Sequence, residues 1–167
     1  MRVFLVGFMG AGKSTTGHAL ASRLGALFWD LDARIEATLR MSVPEIFRQL
    51  GEPAFRAEET RQLAGSARFA DLVAATGGGT FAVPANRELI ARLGVSVHLD
   101  LPWEEILRRL PGKRGERPLF NGPEQAYELF KARLPLYRLA DIQVRPEAGE
   151  DAEALAGRIL FLLGVRP

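Results

Sequence analysis

The sequence predicts an α/β protein of three layers, a parallel sheet with helices on both faces, and three observations carry that expectation. Short apolar or β-branched runs alternate with longer stretches of helical period, as a parallel sheet requires when each strand is followed by a crossover. The first such run passes directly into a glycine-rich segment that opens a helical pattern, so strand, loop and helix stand in register. No internal repeat or low-complexity tract interrupts the alternation, and 167 residues suffice for one core but not comfortably for two. Residues 1–167 therefore read as a single domain.

Strands are predicted over residues 3–6, 27–29, 72–75, 95–99 and 142–144, each a brief apolar or β-branched run bounded by polar or glycine-containing segments. Helices are predicted over residues 13–24, 44–50, 52–64, 84–93, 103–110, 123–139 and 151–163. Pro44, Pro84 and Pro123 fall at helix starts, where the missing N–H would have no partner anyway, and Gly25, Gly51 and Gly94 fall at helix ends. Residues 111–122 carry Pro, Gly and Arg without apolar period and read as a mobile loop.

Composition narrows the function classes. An apolar share of 47% with 25% charged residues is ordinary for a globular chain, and no apolar run approaches a membrane span. The basic pI of 9.4 rests on a net charge of only +2, with both signs interspersed, which argues against a nucleic-acid partner. The absence of cysteine excludes disulfides, thiolate metal sites and cysteine nucleophiles. The first apolar run is too short for a signal peptide, so the expected compartment is the cytoplasm.

The segment Gly7-Phe8-Met9-Gly10-Ala11-Gly12-Lys13-Ser14 satisfies the spacing G-x-x-x-x-G-K-[ST] between a strand and a helix. Its glycines let the backbone turn successive N–H groups inward, and the helix beginning at Lys13 adds its positive end to the same anion site. Lys13 would reach the β- and γ-phosphates of ATP, Ser14 would ligate Mg²⁺, and Thr15 would help to hold the α-phosphate. The run Leu72-Val73-Ala74-Ala75 carries no second metal carboxylate. Of the strand-end carboxylates Asp30, Asp32 and Asp100, Asp30 is the expected contact to the metal through water.

An acceptor site is suggested by residues that are weak signals singly. Asp30-Leu31-Asp32 follows the second strand, although such aspartates also serve as caps and turn formers. Thr76-Gly77-Gly78-Gly79-Thr80 follows the third strand and could expose backbone N–H groups to a ligand, or simply turn the chain. Arg56 has Glu59 one helical turn on, and with Arg133 it suits an acceptor bearing a carboxylate and hydroxyls. Arg108-Arg109, Lys113-Arg114 and Arg117-Pro118 cluster at the mobile loop, as in a lid closing over an anion; a solvated basic loop is the plain alternative. His18, His98, Trp29 and Trp103 read as structural, and Leu155, Ile159, Leu162 and Leu163 as the apolar face of a closing helix.

Taken in order, these residues resemble the shikimate kinase family: Gly7 to Thr15, Asp30-Leu31-Asp32 with Ile35-Glu36, Glu45-Ile46-Phe47, Gly51-Glu52 with Phe55-Arg56 and Glu59, Thr76 to Gly79, Arg117-Pro118-Leu119, and Arg133 before Leu136-Tyr137. The resemblance implies a three-layer P-loop kinase fold with five parallel strands in the order 2-3-1-4-5, an acceptor-binding helical region about residues 31–60 and a lid about 111–122. It also implies transfer of the ATP γ-phosphoryl group to the 3-hydroxyl of shikimate in aromatic amino-acid biosynthesis, by a monomer. Catalysis would fall to Lys13, Asp32 and Arg117, and ATP binding to Gly10, Ala11, Gly12, Lys13, Ser14, Thr15, Arg109 and Arg117. Shikimate would lie among Asp32, Arg56, Gly78, Arg133, Phe47 and Phe55, with Asp32 acting as base or only orienting the hydroxyl.

Departures from the family pattern are Arg40, where glycine is often found, a slightly longer stretch between Arg109 and Arg117, and Gln143-Val144-Arg145-Pro146, whose contacts stay unassigned. A nucleoside monophosphate or gluconate kinase would share the loop and lid but not the acceptor residues. A nucleotide-dependent switch would need neither a carboxylate-shaped pocket nor the arginine-rich lid.

Overall fold

The computed structural model describes residues 1–110 and 122–165. At its centre is a parallel sheet of β1 (Arg2–Val6), β2 (Leu27–Asp30), β3 (Leu72–Ala75), β4 (Val95–Leu99) and β5 (Ile142–Val144), in the spatial order β2-β3-β1-β4-β5. The strands fall within a residue of their predicted bounds, and the order is the one that the resemblance implies. Val3, Phe4, Leu5 and Val6 are all fully buried. A central strand covered on both faces needs no polar alternation, which is why β1 is a continuous apolar run.

The helices are α1 (Lys13–Leu24), α2 (Leu31–Leu39), α3 (Val43–Gln49), α4 (Gly51–Gly65), α5 (Pro84–Leu93), α6 (Trp103–Arg109), α7 (Pro123–Tyr137) and α8 (Ala152–Leu162). One hydrophobic cluster links the sheet to them, with Leu20 of α1 and Ile159 of α8 wholly buried where these helices pack together. Helices α2, α3 and α4 pack on one another beside the β2 edge, forming the helical region anticipated for residues 31–60.

Helix α2 has no counterpart among the helices predicted from periodicity. Its buried residues are only Leu31 and Ile35, a stripe of one turn that is too brief to register as a helical period. What starts it is a cap: Asp30 Oδ1 accepts from the Ala33 N–H at 3.1 Å, satisfying a donor that the first turn leaves open. Helix α3 starts at a capping box, in which the Ser42 backbone and hydroxyl donate to Glu45 Oε2 at 2.8 and 2.6 Å. Those bonds, from the side chain first and the backbone second, hold the Glu45 carboxyl below its usual range.

Between α2 and α3 the chain turns at Arg40, the one described non-glycine residue with positive φ, at φ 52° and ψ 37°. The turn that glycine makes without strain is thus kept by an arginine, because the Arg40 and Met41 amides both close on Glu36 O. A left-handed conformation costs an L-residue roughly 1–2 kcal/mol, offset in part by the entropy that glycine would lose on folding. Arg40→Gly is therefore predicted to stabilise the fold by roughly 1 kcal/mol in urea denaturation. A lower midpoint than wild type would show that the arginine side chain contributes more than its backbone costs.

Candidate active site

In the parallel register Leu5 and Asp30 both lie opposite Ala75. The C-terminal ends of β1, β2 and β3 therefore meet at one edge of the sheet, where its connections diverge and open α/β sheets form a crevice. The glycine loop, the two aspartates and the triple glycine are delivered there together. Gly10 and Gly12 adopt φ of 82° and 90°, conformations that side-chain-bearing residues resist. The loop leans on Phe8, 1% exposed, whose ring meets Trp103 and Phe130 edge-on at 6.4 and 5.5 Å.

Lys13 Nζ donates to the carbonyls of Gly7 and Phe8 at 2.9 Å each, so the ammonium is held over the mouth of its own loop. Ser14 Oγ donates to Asp30 Oδ2 at 2.8 Å, while the other Asp30 oxygen caps α2. Hydroxyl and carboxylate oxygens converging at the head of a helix suit a hard divalent cation. Among the described residues no group of three acidic or histidine side chains could hold such an ion by itself. These donors fit Mg²⁺ completed by water and phosphate oxygens.

A cleft of about 290 Å³ lies over this arrangement. Gly10, Gly12, Lys13, Ser14 and Thr15 form one wall, and Asp30, Asp32 and Gly78 the other. Arg109 sits at the rim with Nη1 3.4 Å from Gly10 O. The wall of loop N–H groups and a lysine is an anion site by construction, and the aspartates opposite suit a cation carried by that anion.

A second cavity adjoins the first and shares Asp32 and Gly78 with it. Phe47 and Phe55 wall it with ring centroids 5.0 Å apart. Arg56 and Arg133 supply positive charge, and Arg133 is only 8% exposed. Arg56 is fixed from two sides, by Glu52 Oε1 at 3.0 Å and by Glu59 Oε2 at 3.0 Å. Glu59 is fully buried, and its second oxygen accepts from Thr80 Oγ at 2.6 Å. Burial works against the Arg56 charge, yet the ion pairs and hydrogen bonds with Glu59 and Glu52 outweigh it, so its pKa is raised.

The triple glycine makes room for side chains of the protein itself. A Cβ on Gly79 would fall 2.5 Å from Arg56 Nη2, and one on Gly77 would fall 2.8 Å from Asp32 Oδ1 and 2.9 Å from Glu59 Oε1. Any larger residue would displace the groups that shape the second cavity. Beside the two roles expected of them, exposing amides or turning the chain, the glycines thus admit Arg56, Glu59 and Asp32.

The structure brings Gly10, Gly12, Lys13, Ser14, Thr15, Asp30, Asp32, Gly78 and Arg109 to the first cavity, and Phe47, Phe55, Arg56 and Arg133 to the second. Ala11 is buried within the loop. Arg117 and most of the predicted lid lie outside the described residues. Asp100 does not line the cleft; its backbone N–H bonds Val144 O beyond the neighbouring strand. Sequence reading missed Met9 and Val43, which line the second cavity, and Thr80, which orients Glu59. The first two are apolar and indistinguishable from core residues by type. Thr80 carried a signal, as a hydroxyl directly following three glycines.

A family model described as shikimate kinase matches residues 9–163. The chain is 44% identical to a shikimate kinase of Synechococcus sp. (strain RCC307) over 161 residues, covering 95% of this chain and 82% of the relative. Among solved structures it is similar to shikimate kinase from Acinetobacter baumannii in complex with shikimate, with a TM-score of 0.91, 38% identity and coverage of 97% and 92%. The shikimate kinase from Bacteroides thetaiotaomicron gives a TM-score of 0.90 at 33% identity, with 99% of each chain covered. With nearly the whole length matched and the two joined cavities in place, this chain belongs to the shikimate kinase family.

Proposed function

We propose that the cleft at the head of α1 holds ATP with Mg²⁺ and that the adjoining cavity holds shikimate, the acceptor hydroxyl lying beside Asp32 where the two meet. The activity is that of the family: the γ-phosphoryl group of ATP passes to the 3-hydroxyl of shikimate, giving ADP and shikimate 3-phosphate for aromatic amino-acid biosynthesis. The observation that carries the residue assignment is that two cavities share Asp32 and Gly78. Among the described residues, a donor and an acceptor placed in them would meet at those two.

In this reading the amides of residues 10–15 and the Lys13 ammonium bind the phosphates, and Lys13 turns from its two loop carbonyls to the oxygens that gain charge during transfer. Ser14 and Asp30 would hold Mg²⁺, Asp30 through water, and the ion would supply neutralisation of phosphate charge. Arg109 lies against the adenine, and Arg117 is the lid arginine toward the transferring group. Arg56 and Arg133 grip the shikimate carboxylate, with Phe47 and Phe55 against its ring and Gly78 offering a backbone contact.

Asp32 accepts a hydrogen bond from the 3-hydroxyl, aims its lone pair in line with the leaving ADP oxygen, and receives the proton as the new O–P bond forms. Most of the acceleration comes from positioning and charge neutralisation, because a loose transition state demands little of a base. By its resemblance to the family, the same reading takes the protein as a monomer in the cytoplasm.

Asp32→Asn keeps the shape of the side chain but removes its charge, so kcat is expected to fall about 10²–10⁴-fold with the fold intact. Steady-state phosphorylation of shikimate measures this, and wild-type-like turnover would remove Asp32 from the reaction. Arg56→Ala or Arg133→Ala deletes a charge-assisted partner worth about 1.5–3 kcal/mol, roughly a ten- to hundredfold weaker hold on shikimate. Calorimetric titration with shikimate reads that change directly, and unaltered affinity would place the carboxylate elsewhere.

A further inference from the structure

His98 and Gln143 face each other across β4 and β5, and neither lines the two cavities. His98 is 2% exposed, and a buried imidazole must find partners for its ring nitrogens. Gln143 lies on the exposed side of an outer strand but folds its amide inward, with Oε1 2.6 Å from His98 Nδ1. The orientation of that amide is determined by its other end. Gln143 Nε2 donates to Ala140 O at 3.1 Å and to Tyr137 O at 3.4 Å, and carbonyls only accept. Oε1 therefore faces the imidazole, and Nδ1 carries the hydrogen. Burial keeps His98 below its usual pKa, so the ring is neutral and held in one tautomer.

The same ring lies against Tyr137, with centroids 5.3 Å apart and planes tilted by 32°. The Tyr137 phenol is pushed up to about 12 by burial and donates its hydrogen to Gly78 O. A Cβ on Gly7 would fall 3.5 Å from His98 Cδ2 and 3.0 Å from Leu99 O. One edge of the unit thus abuts the first glycine of the phosphate loop. Its far end holds the middle glycine of the acceptor turn, which is shared by both cavities.

We infer that Gln143, His98 and Tyr137 are positioning residues for phosphoryl transfer: as one hydrogen-bonded and stacked unit they set the separation between Gly7 and Gly78. That separation fixes how the phosphate cleft is aligned with the acceptor cavity. A role in packing alone would be served by an aliphatic residue at 98 and by almost any residue at the exposed position 143. Hydrogen bonds join Gln143 to His98 and Tyr137 to Gly78, and a ring contact joins His98 to Tyr137, so the contacts run from an outer strand to the carbonyl of a site glycine. Gln143 touches neither proposed substrate site, so both substrates should bind as before when the unit is broken there, whereas the Tyr137 phenol also meets Arg133, so its loss weakens the hold on shikimate as well. Alignment, which matters only as the phosphoryl group moves, is what would be lost, and displacements of about 1 Å can cost a hundredfold in rate.

This inference rests on the proposed placement of ATP and shikimate, and wild-type turnover of shikimate in the same assay tests that placement separately. The variants are Gln143→Leu, a change at an exposed strand position, Tyr137→Phe, which removes one hydroxyl, and the pair combined. Melting temperature and stoichiometric binding of an ATP analogue establish the folded fraction of each. The expected result is a fall in kcat of at least fivefold for each single variant, with the ATP dissociation constant within twofold of wild type in both and the shikimate dissociation constant within twofold in Gln143→Leu. The double variant should be no slower than about twice the worse single, because both break one unit. A kcat within twofold of wild type in Gln143→Leu, or single effects that multiply in the double, would overturn the inference.

Discussion

Parallel pairing of β3 with both β1 and β2 is the constraint on which the rest of this molecule depends. It obliges three connections of unlike chemistry to leave the sheet at the same edge: a glycine loop, a pair of aspartates and a triple glycine. Had any one strand run the other way, its loop would emerge on the far side, some five residues of extended chain distant. The apolar character of these strands is what enforces the pairing, since β1 and β3 are buried along nearly their whole length. Burial at the centre of the sheet and chemistry at its rim are thus products of one arrangement.

Within that frame the two cavities solve different electrostatic problems. In the proposed reading the phosphate cleft holds many negative charges, with backbone N–H groups and a helix N-terminus that are fixed by the fold and need no rearrangement when anions enter, and with Lys13, which turns to them from its loop carbonyls. In the same reading the acceptor cavity holds one carboxylate, and its arginines must be kept from wandering. Arg56 is therefore tied to the exposed Glu52 and the buried Glu59, and Glu59 is tied in turn to Thr80. A buried carboxylate left without these partners would be costly. The interlocking of Glu59, Arg56 and Thr80 around glycines 77 and 79 is thus a condition of the fold as much as of binding.

Much of this was legible in the sequence because it is written in local signals. The strand order followed from a family resemblance, and the strand positions from short apolar runs. The phosphate loop follows from a motif whose spacing reflects its mechanism, and Asp32, Arg56 and Arg133 follow as cavity-lining residues from their combination with a glycine turn and from the family resemblance. What escaped was what depends on the third dimension. Helix α2 owes its start to an aspartate cap and buries only Leu31 and Ile35, so periodicity could not announce it. Met9 and Val43 look like core residues until the cavity that they line is seen. His98 reads as structural by type, and its ring contact with Tyr137, whose phenol donates to Gly78 O, joins residues far apart in sequence. Arg40 stood out as a departure from the family, and only its backbone geometry shows that the turn survives the change.

The central claim is that two adjoining cavities sharing Asp32 and Gly78 are the donor and acceptor halves of one reaction site. A crystal structure of the protein with Mg²⁺, a non-hydrolysable ATP analogue and shikimate tests it most directly. The account predicts triphosphate oxygens on the amides of residues 10–15, the shikimate carboxylate between Arg56 and Arg133, and the 3-hydroxyl against Asp32 facing the terminal phosphate. Nucleotide bound away from Lys13, or shikimate bound with Asp32 turned from it, would contradict the account.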